Sequence, residues 1–174
     1  MITIHGNGLI EGMNGNSMPS GTVIQTLQGS KTDTSYITST SFQDIGLSVN
    51  ITPTSASNKI LVRVHLYGYA GLYVGKSRVM RDSTEIGAAP SAGSRPTQAL
   101  PFSQNPSSDG AMMFSGVEIL DSPSTTNQIT YKVQTACRAS GEEGTYINRS
   151  ETDRDNASYD PRTISYITVM EIVA

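Results

Sequence analysis

The chain has 174 residues, of which 16% are charged, and a formal net charge of −3. That length fits one domain able to bury roughly 70% of the surface of its unfolded chain. The sparse, slightly acidic charge excludes the basic face of a nucleic-acid binder, and the single cysteine excludes an intrachain disulfide and a Cys-based metal cluster. Ser, Thr, Asn and Gly take the place of the missing charge, and these residues favour turns and strands over helix interiors.

Residues 1–20, MITIHGNGLIEGMNGNSMPS, carry scattered apolar residues among Gly and Asn, with no sustained period. Such a segment cannot build a core of its own. It is either a disordered tail or an extended arm that gains order on a partner, with Ile2, Ile4, Leu9, Ile10, Met13 and Met18 as its anchors. It lacks a basic stretch followed by an apolar core, so no secretory signal is expected, and the chain has no run of about 18 apolar residues that would span a membrane.

From Gly21 the pattern is short runs separated by turn chemistry. Gly21–Leu27, Tyr36–Ile37, Phe42–Ile45 and Leu47–Thr52 read as strands, the last stopping at Pro53. Lys59–Tyr69 is the longest. Ile60, Val62, Val64 and Leu66 alternate with Leu61, Arg63, His65 and Tyr67, which is period two with one wholly apolar face. Arg78–Ile86 has the form of a hairpin turning at Asp82-Ser83. Residues 88–110 hold Pro90, Pro96, Pro101 and Pro106 and are expected to be mostly loop. Ala111–Leu120 and Ile129–Cys137 return to strand, with Cys137 expected as a small core hydrophobe. Residues 141–161 read as a long polar loop, and Ile164–Val173 as the closing strand.

No segment combines a cap, a 3.6-residue apolar period and good helix formers. The expectation is an all-β protein: one antiparallel, jelly-roll-like β-sandwich over 21–174 with an N-terminal arm over 1–20. The closing strand carries a second message. Ile167, Val169 and Val173 share one face, while Tyr166, Met170 and Ile172, with Ile164, lie largely on the other. A strand on the solvated surface of a sandwich should have one polar face. Tyr67 and Tyr69 repeat the pattern on Lys59–Tyr69. These five residues, Tyr67, Tyr69, Tyr166, Met170 and Ile172, are therefore the candidate subunit contacts, since interface cores favour large aromatic residues over charges.

Signals of catalysis are weak. His5 lies in the arm, His65 lies mid-strand, and no G-x-S-x-G motif is present. Glu142, Glu143, Glu151, Asp153, Asp155 and Asp160 cluster, but Arg149, Arg154 and Arg162 are interleaved, which fits a solvated loop with local ion pairs. Asp153–Asn156 has the alternation of a calcium loop without its Gly at the sixth and Glu at the twelfth position. No enzyme, cofactor or metal is expected.

The stretches GTVIQTL, SFQDIGLSVNITPTSASNKILVRV, EILDSPSTTNQITYKVQT and ISYITVMEIVA resemble a β-sandwich module of tailed-phage virion proteins, common in phages of cyanobacteria and marine bacteria. The similarity spans about residues 20–174, and DSPSTTNQITYKVQ and SYITVMEI are its most specific phrases. The resemblance implies a homotrimer on the virion, either a capsid decoration (cement) protein bound to the major capsid protein or the receptor-binding tip of a tail fibre or tailspike. The start at Met1 and the short segment ahead of the sandwich leave no attachment domain or shaft, which favours decoration. An extended arm of that length reaches at most about 70 Å, enough to lie along a capsid surface. The host-recognition role shared with the fibre reading makes Tyr146 and Tyr159, in the late polar loop, candidate platforms for a cell-surface glycan.

Overall fold

The computed structural model describes residues 3–4, 10–11, 18–71, 74–95, 97–103, 112–138 and 144–174. All of its regular elements are strands: β1 (Thr3–Ile4), β2 (Ile10–Glu11), β3 (Val23–Lys31), β4 (Ser35–Ile37), β5 (Gln43–Ile51), β6 (Lys59–Ala70), β7 (Val74–Arg81), β8 (Thr84–Ile86), β9 (Leu100–Ser103), β10 (Met113–Asp121), β11 (Ile129–Ala136), β12 (Thr145–Ile147) and β13 (Ser165–Ile172). Every pairing is antiparallel. The protein is an antiparallel β-sandwich, as the alternating runs and polar turns predict.

The first sheet is built around β6, which carries β10 on one side and β13 then β12 on the other. β3 lies outside β13, and β4 lies outside β12. The second sheet runs β5, β11, β7, with β8 and β9 sharing the outer edge of β7. Among the described residues of the arm, β1 and β2 pair with each other.

The core follows from parity. Ile60, Val62, Val64 and Leu66 of β6 and Ile167 and Val169 of β13 point inward and are fully buried. They meet Ile45, Leu47, Val49, Ile51, Val79, Tyr131 and Val133 from the second sheet. Burying each such side chain contributes about 1.5–3 kcal/mol. Cys137 is buried at the end of β11. Close packing demands glycine at one corner: a Cβ on Gly29 of β3 would collide with the Ser48 carbonyl of β5. The turn at Asp82-Ser83 closes the β7–β8 hairpin, with Arg81 opposite Thr84 and Asp82 in the left-handed region.

Three sequence expectations need correction. Phe42–Ile45 and Leu47–Thr52 are one strand, β5, because Gly46 at φ +80 absorbs a register shift against β11 between Lys132 and Gln134. The proline-rich stretch contains β9, whose Pro101 is tolerated because β9 pairs with β7 alone, and whose Leu100 is fully buried. The late polar stretch contains β12, all three of whose residues are buried.

One charge sits inside. Glu171 has the inward parity of Val169 and Val173 and no exposed surface. Its carboxylate accepts from the Thr54 amide (2.7 Å), Thr54 Oγ1 (2.8 Å), Asn58 Nδ2 (2.7 Å) and Gln25 Nε2 (3.0 Å), so it ties the β5–β6 connection to the last strand. Neutral donors alone satisfy it, as a buried carboxylate requires.

Candidate functional site

The outward face of the first sheet is arranged in rows across the strands. One row holds Thr26, Met170, Leu61 and Leu120, and beyond it Val23 faces Ile172. The next row is polar: Gln28 bonds to Thr168 (2.9 Å) and Arg63 pairs with Glu118 (2.6 Å). On its far side come Tyr166, His65 and Gly116, then Tyr67 opposite Phe114. The Phe114 ring leans over Gly116, edge-on to His65 at 5.5 Å and tilted against Tyr67 at 5.3 Å. Val23, Phe114 and Leu120 are 48%, 55% and 57% exposed, while Leu61, Tyr67, Tyr166, Met170 and Ile172 are half-buried. Eight large apolar side chains thus share a face crossed by one ion pair. Two apolar groups flanking one polar row on a sheet face make it the candidate association surface. Four of the five candidate contact residues lie in it. Sequence alternation along β10 also places Phe114 and Leu120 on this face, beyond the five candidates.

Tyr69 is the correction. It has outward parity but is only 2% exposed, so it is not available to a partner. Its ring lies 6.3 Å from that of Tyr146, its pairing partner on β12, and Tyr146 in turn stacks on Tyr36 of β4 at 4.6 Å and 16°. The Arg149 guanidinium covers the Tyr146 ring at 4.8 Å. Tyr146 is therefore also corrected: at 7% exposure it is no platform for a glycan, and the exposed ring of that row is Tyr36. Burial, then the hydrogen bond with Tyr36, pushes the Tyr146 phenol well above its ordinary value. Tyr159, by contrast, is 60% exposed.

Past Asn148 the chain loops through residues 148–163 before β13, and two of its carboxylates, Asp153 and Asp160, are occupied. Asp160, whose side chain is shielded from solvent, accepts from Ser150 Oγ (2.6 Å), Thr152 Oγ1 (2.8 Å), and the amide and Nε of Arg154. Asp153 bridges Arg149 (3.0 Å) and Arg162 (2.6 Å). The Arg154 bond, then that of Ser150, holds the Asp160 carboxyl far below its usual range. Asp153 is opposed by burial, but its two arginines outweigh that and also hold it low. A general acid needs the opposite shift, so these two are ion-pair carboxylates. Glu142 and Glu143 lie outside the described residues. Among the described residues no three His, Cys, Asp or Glu side chains group as metal ligands. Asn148, the first residue of an Asn-x-Ser sequon, is fully buried and bonded to the Lys31 and Asp33 carbonyls, so the folded chain does not present it for glycosylation.

Of the anchor candidates, Ile2, Leu9 and Met13 lie outside the described residues. The backbones of Ile4 and Ile10 pair as part of β1 and β2, and Met18 is half-buried. His5 is likewise outside, and His65 sits exposed on the apolar face.

The outward face of the second sheet has another character. Asn50 accepts from Thr130 (2.8 Å), and Asp44 accepts from Lys132 (2.9 Å) and Gln134 (2.8 Å). Arg78 donates to Gln134 (2.9 Å) and Glu85 (3.2 Å) and lies over Phe42 at 4.2 Å. Of the large apolar side chains that β7 turns to this face, Met80 is 5% exposed and Val74, at the strand's start, is 38% exposed.

No protein-family model matches this chain, and no curated protein matches it either.

Proposed function

We propose that this chain is a non-catalytic structural protein of a tailed-phage virion, a homotrimer that buries the apolar face of the first sheet between subunits and decorates the outer capsid surface. The observation that carries the reading is that face. Four strands wide and about eight residues long, it covers roughly 20 by 27 Å, about 540 Å² in plan against the ~800 Å² per partner of a standard protein interface, so it forms the centre of a contact and not its whole extent. A second copy of the same chain is the partner that a cytosol full of copies offers first, and the resemblance of residues 20–174 to virion sandwich modules sets the number at three.

Cementing suits such a trimer physically. Three linked subunits touch several capsid proteins at once, and effective concentration multiplies weak contacts into avidity. The arm over residues 1–20 supplies further anchors, each contributing up to about 1.5–3 kcal/mol on burial against about 1–2 kcal/mol per residue ordered.

The test is sedimentation of the purified chain with undecorated capsids of the phage that encodes it. Intact protein is expected to pellet with capsids, and protein lacking residues 1–20 to fold, stay oligomeric and pellet much less. Full retention without the arm removes the anchor role. Binding to tails and never to capsids moves the assignment to the tip of a tail fibre or tailspike.

A further inference from the structure

We propose that the loop between β12 and β13 is a binding site for a neutral saccharide, with Tyr159 as its stacking platform. The site is independent of the apolar sheet face and of the capsid reading.

The loop is built like a binding site rather than a connection. Residues 148–163 contain no strand, yet they are fixed from within. Asp160 gathers Ser150, Thr152 and Arg154, and Asp153 gathers Arg149 and Arg162. Asn156 accepts from the Ser158 amide (2.9 Å) and Tyr159 N–H reaches the Asn156 carbonyl (3.2 Å), which shapes the tip. Asn148, Asp153 and Asp160 all take positive φ. A loop held this way loses little conformational entropy when a ligand arrives.

It also encloses space. A cleft of about 440 Å³ runs between Asp153, Arg154, Asp155, Asn156 and Arg162. A second hollow of about 280 Å³ adjoins it, sharing Ala157 and lined by Tyr159 and Pro161. Arg154 joins the two: its guanidinium lies 5.0 Å from the Tyr159 ring centroid while its backbone and Nε hold Asp160. That contact orients the ring from one side, and the ring remains 60% exposed.

The lining chooses the ligand. Arginines and carboxylates alternate and largely cancel, so an anion meets Asp153 and Asp155 as soon as it meets Arg162. An apolar ligand would desolvate these charges without replacing their bonds. A polyhydroxylated neutral ring fits both requirements. Its hydroxyls donate to Asp155, which takes part in none of the bonds above. They accept from Arg162, whose bond to Asp153 uses Nε and one terminal nitrogen and leaves the other terminal nitrogen over. Its C–H face covers Tyr159. The cleft has the volume expected of a small-ligand site.

The experiment applies the full chain, Tyr159→Ala and Asp155→Ala to an array of neutral hexose oligosaccharides beside sialylated and sulfated ones, followed by calorimetric titration of the best neutral probe. At least one neutral probe is expected to bind, with Tyr159→Ala weakening it about tenfold or more and Asp155→Ala weakening it less. Neither side chain makes one of the hydrogen bonds that hold the loop, and circular dichroism of both variants should overlay that of the native chain. No neutral probe bound, binding confined to acidic probes, or undiminished binding by Tyr159→Ala overturns the proposal. Capsid sedimentation of Tyr159→Ala should match the native protein, so this site and the decoration role fail separately.

Discussion

The two outward faces of the sandwich are made by the same device, period-two alternation, and carry opposite chemistry. On the second sheet, Asp44, Arg78, Glu85, Lys132 and Gln134 bond one another across the strands, and Asn50 accepts from Thr130. On the first, Val23, Leu61, Phe114, Leu120, Tyr166, Met170 and Ile172 present carbon, and the Arg63–Glu118 pair divides them. A polar surface that satisfies itself is one a folded chain can leave in water. An apolar surface of similar extent gains free energy whenever it is covered, at about 25 cal/mol per Å² before association costs are subtracted. The contrast favours the first face over the second for the proposed subunit contact.

The sharpest way to break that contrast is to place one charge on each face. Met170 and Leu61 stand directly opposite on β13 and β6 and are half-buried in the single chain. Met170→Lys should leave the fold intact, because a lysine there can reach water from a free subunit, while a charge trapped in the interface costs about 3–5 kcal/mol. That is a weakening of association by roughly 100-fold or more, read as a fall from trimer to monomer mass by light scattering at micromolar concentration. Thr130→Lys on the second sheet should leave the trimer mass unchanged. A native chain that is already monomeric, or a Thr130→Lys chain that dissociates equally, removes the distinction between the faces.

How much of this was readable from the sequence depends on whether neighbours in the chain or neighbours in space decide the outcome. β6, β11 and β13 alternate cleanly, so their inward and outward residues follow from counting. The same counting gives Phe114 and Leu120 on β10. Even Glu171 obeys it: its parity matches Val169 and Val173, and only the habit of placing carboxylates in water hides that it points inward. Spatial neighbours decide the rest. Tyr69 and Tyr146 have outward parity, but Arg149 returns from a loop without periodicity to lie over the Tyr146 ring. β12 is three residues long, too short for any pattern, and β9 is masked by Pro101. The cleft of the β12–β13 loop depends on which arginine finds which aspartate, and residue type alone leaves that open.

Glu171 offers the next largest effect, and it bears on the first face because β13 carries both that face and the buried carboxylate. Burial pushes its carboxyl up, but the bonds from Asn58, Thr54 and Gln25 outweigh burial and hold it below the ordinary value. A carboxyl lowered by folding contributes stability above its unfolded pKa and loses it as pH falls through the folded value. The native chain should therefore lose this stability below about pH 4. Glu171→Leu leaves the Thr54 amide and Asn58 Nδ2 without their acceptor and should cost about 2–4 kcal/mol at neutral pH, measured by urea unfolding. Glu171→Gln should be destabilised at neutral pH and fall less steeply on acidification. A Glu171→Gln profile parallel to the native one across that window would remove the charge from the account.

The smallest effect belongs to the second face, and its smallness is the point. Asp44 gathers Gln134 and Lys132, and these bonds, the Gln134 one foremost, lower its carboxyl below the usual range. Its side chain is 56% exposed, so water and salt screen the ion pair, and such pairs contribute about 0–1 kcal/mol. Asp44→Asn keeps an oxygen for Gln134 or Lys132 and removes the charge. Stability should fall by at most about 1 kcal/mol at neutral pH. The difference from the native chain should shrink as pH drops below about 4, where Asp44 of the unfolded chain begins to take up its proton, and vanish once the native carboxyl, held lower, follows. It should shrink also in high salt, where exposed pairs are screened. The oligomer mass should not move, because in the proposed assembly the subunits meet through the other face. A loss of several kcal/mol, or a change of mass, would mean that Asp44 is buried in the assembled protein, and that the self-satisfied face is a contact surface as well.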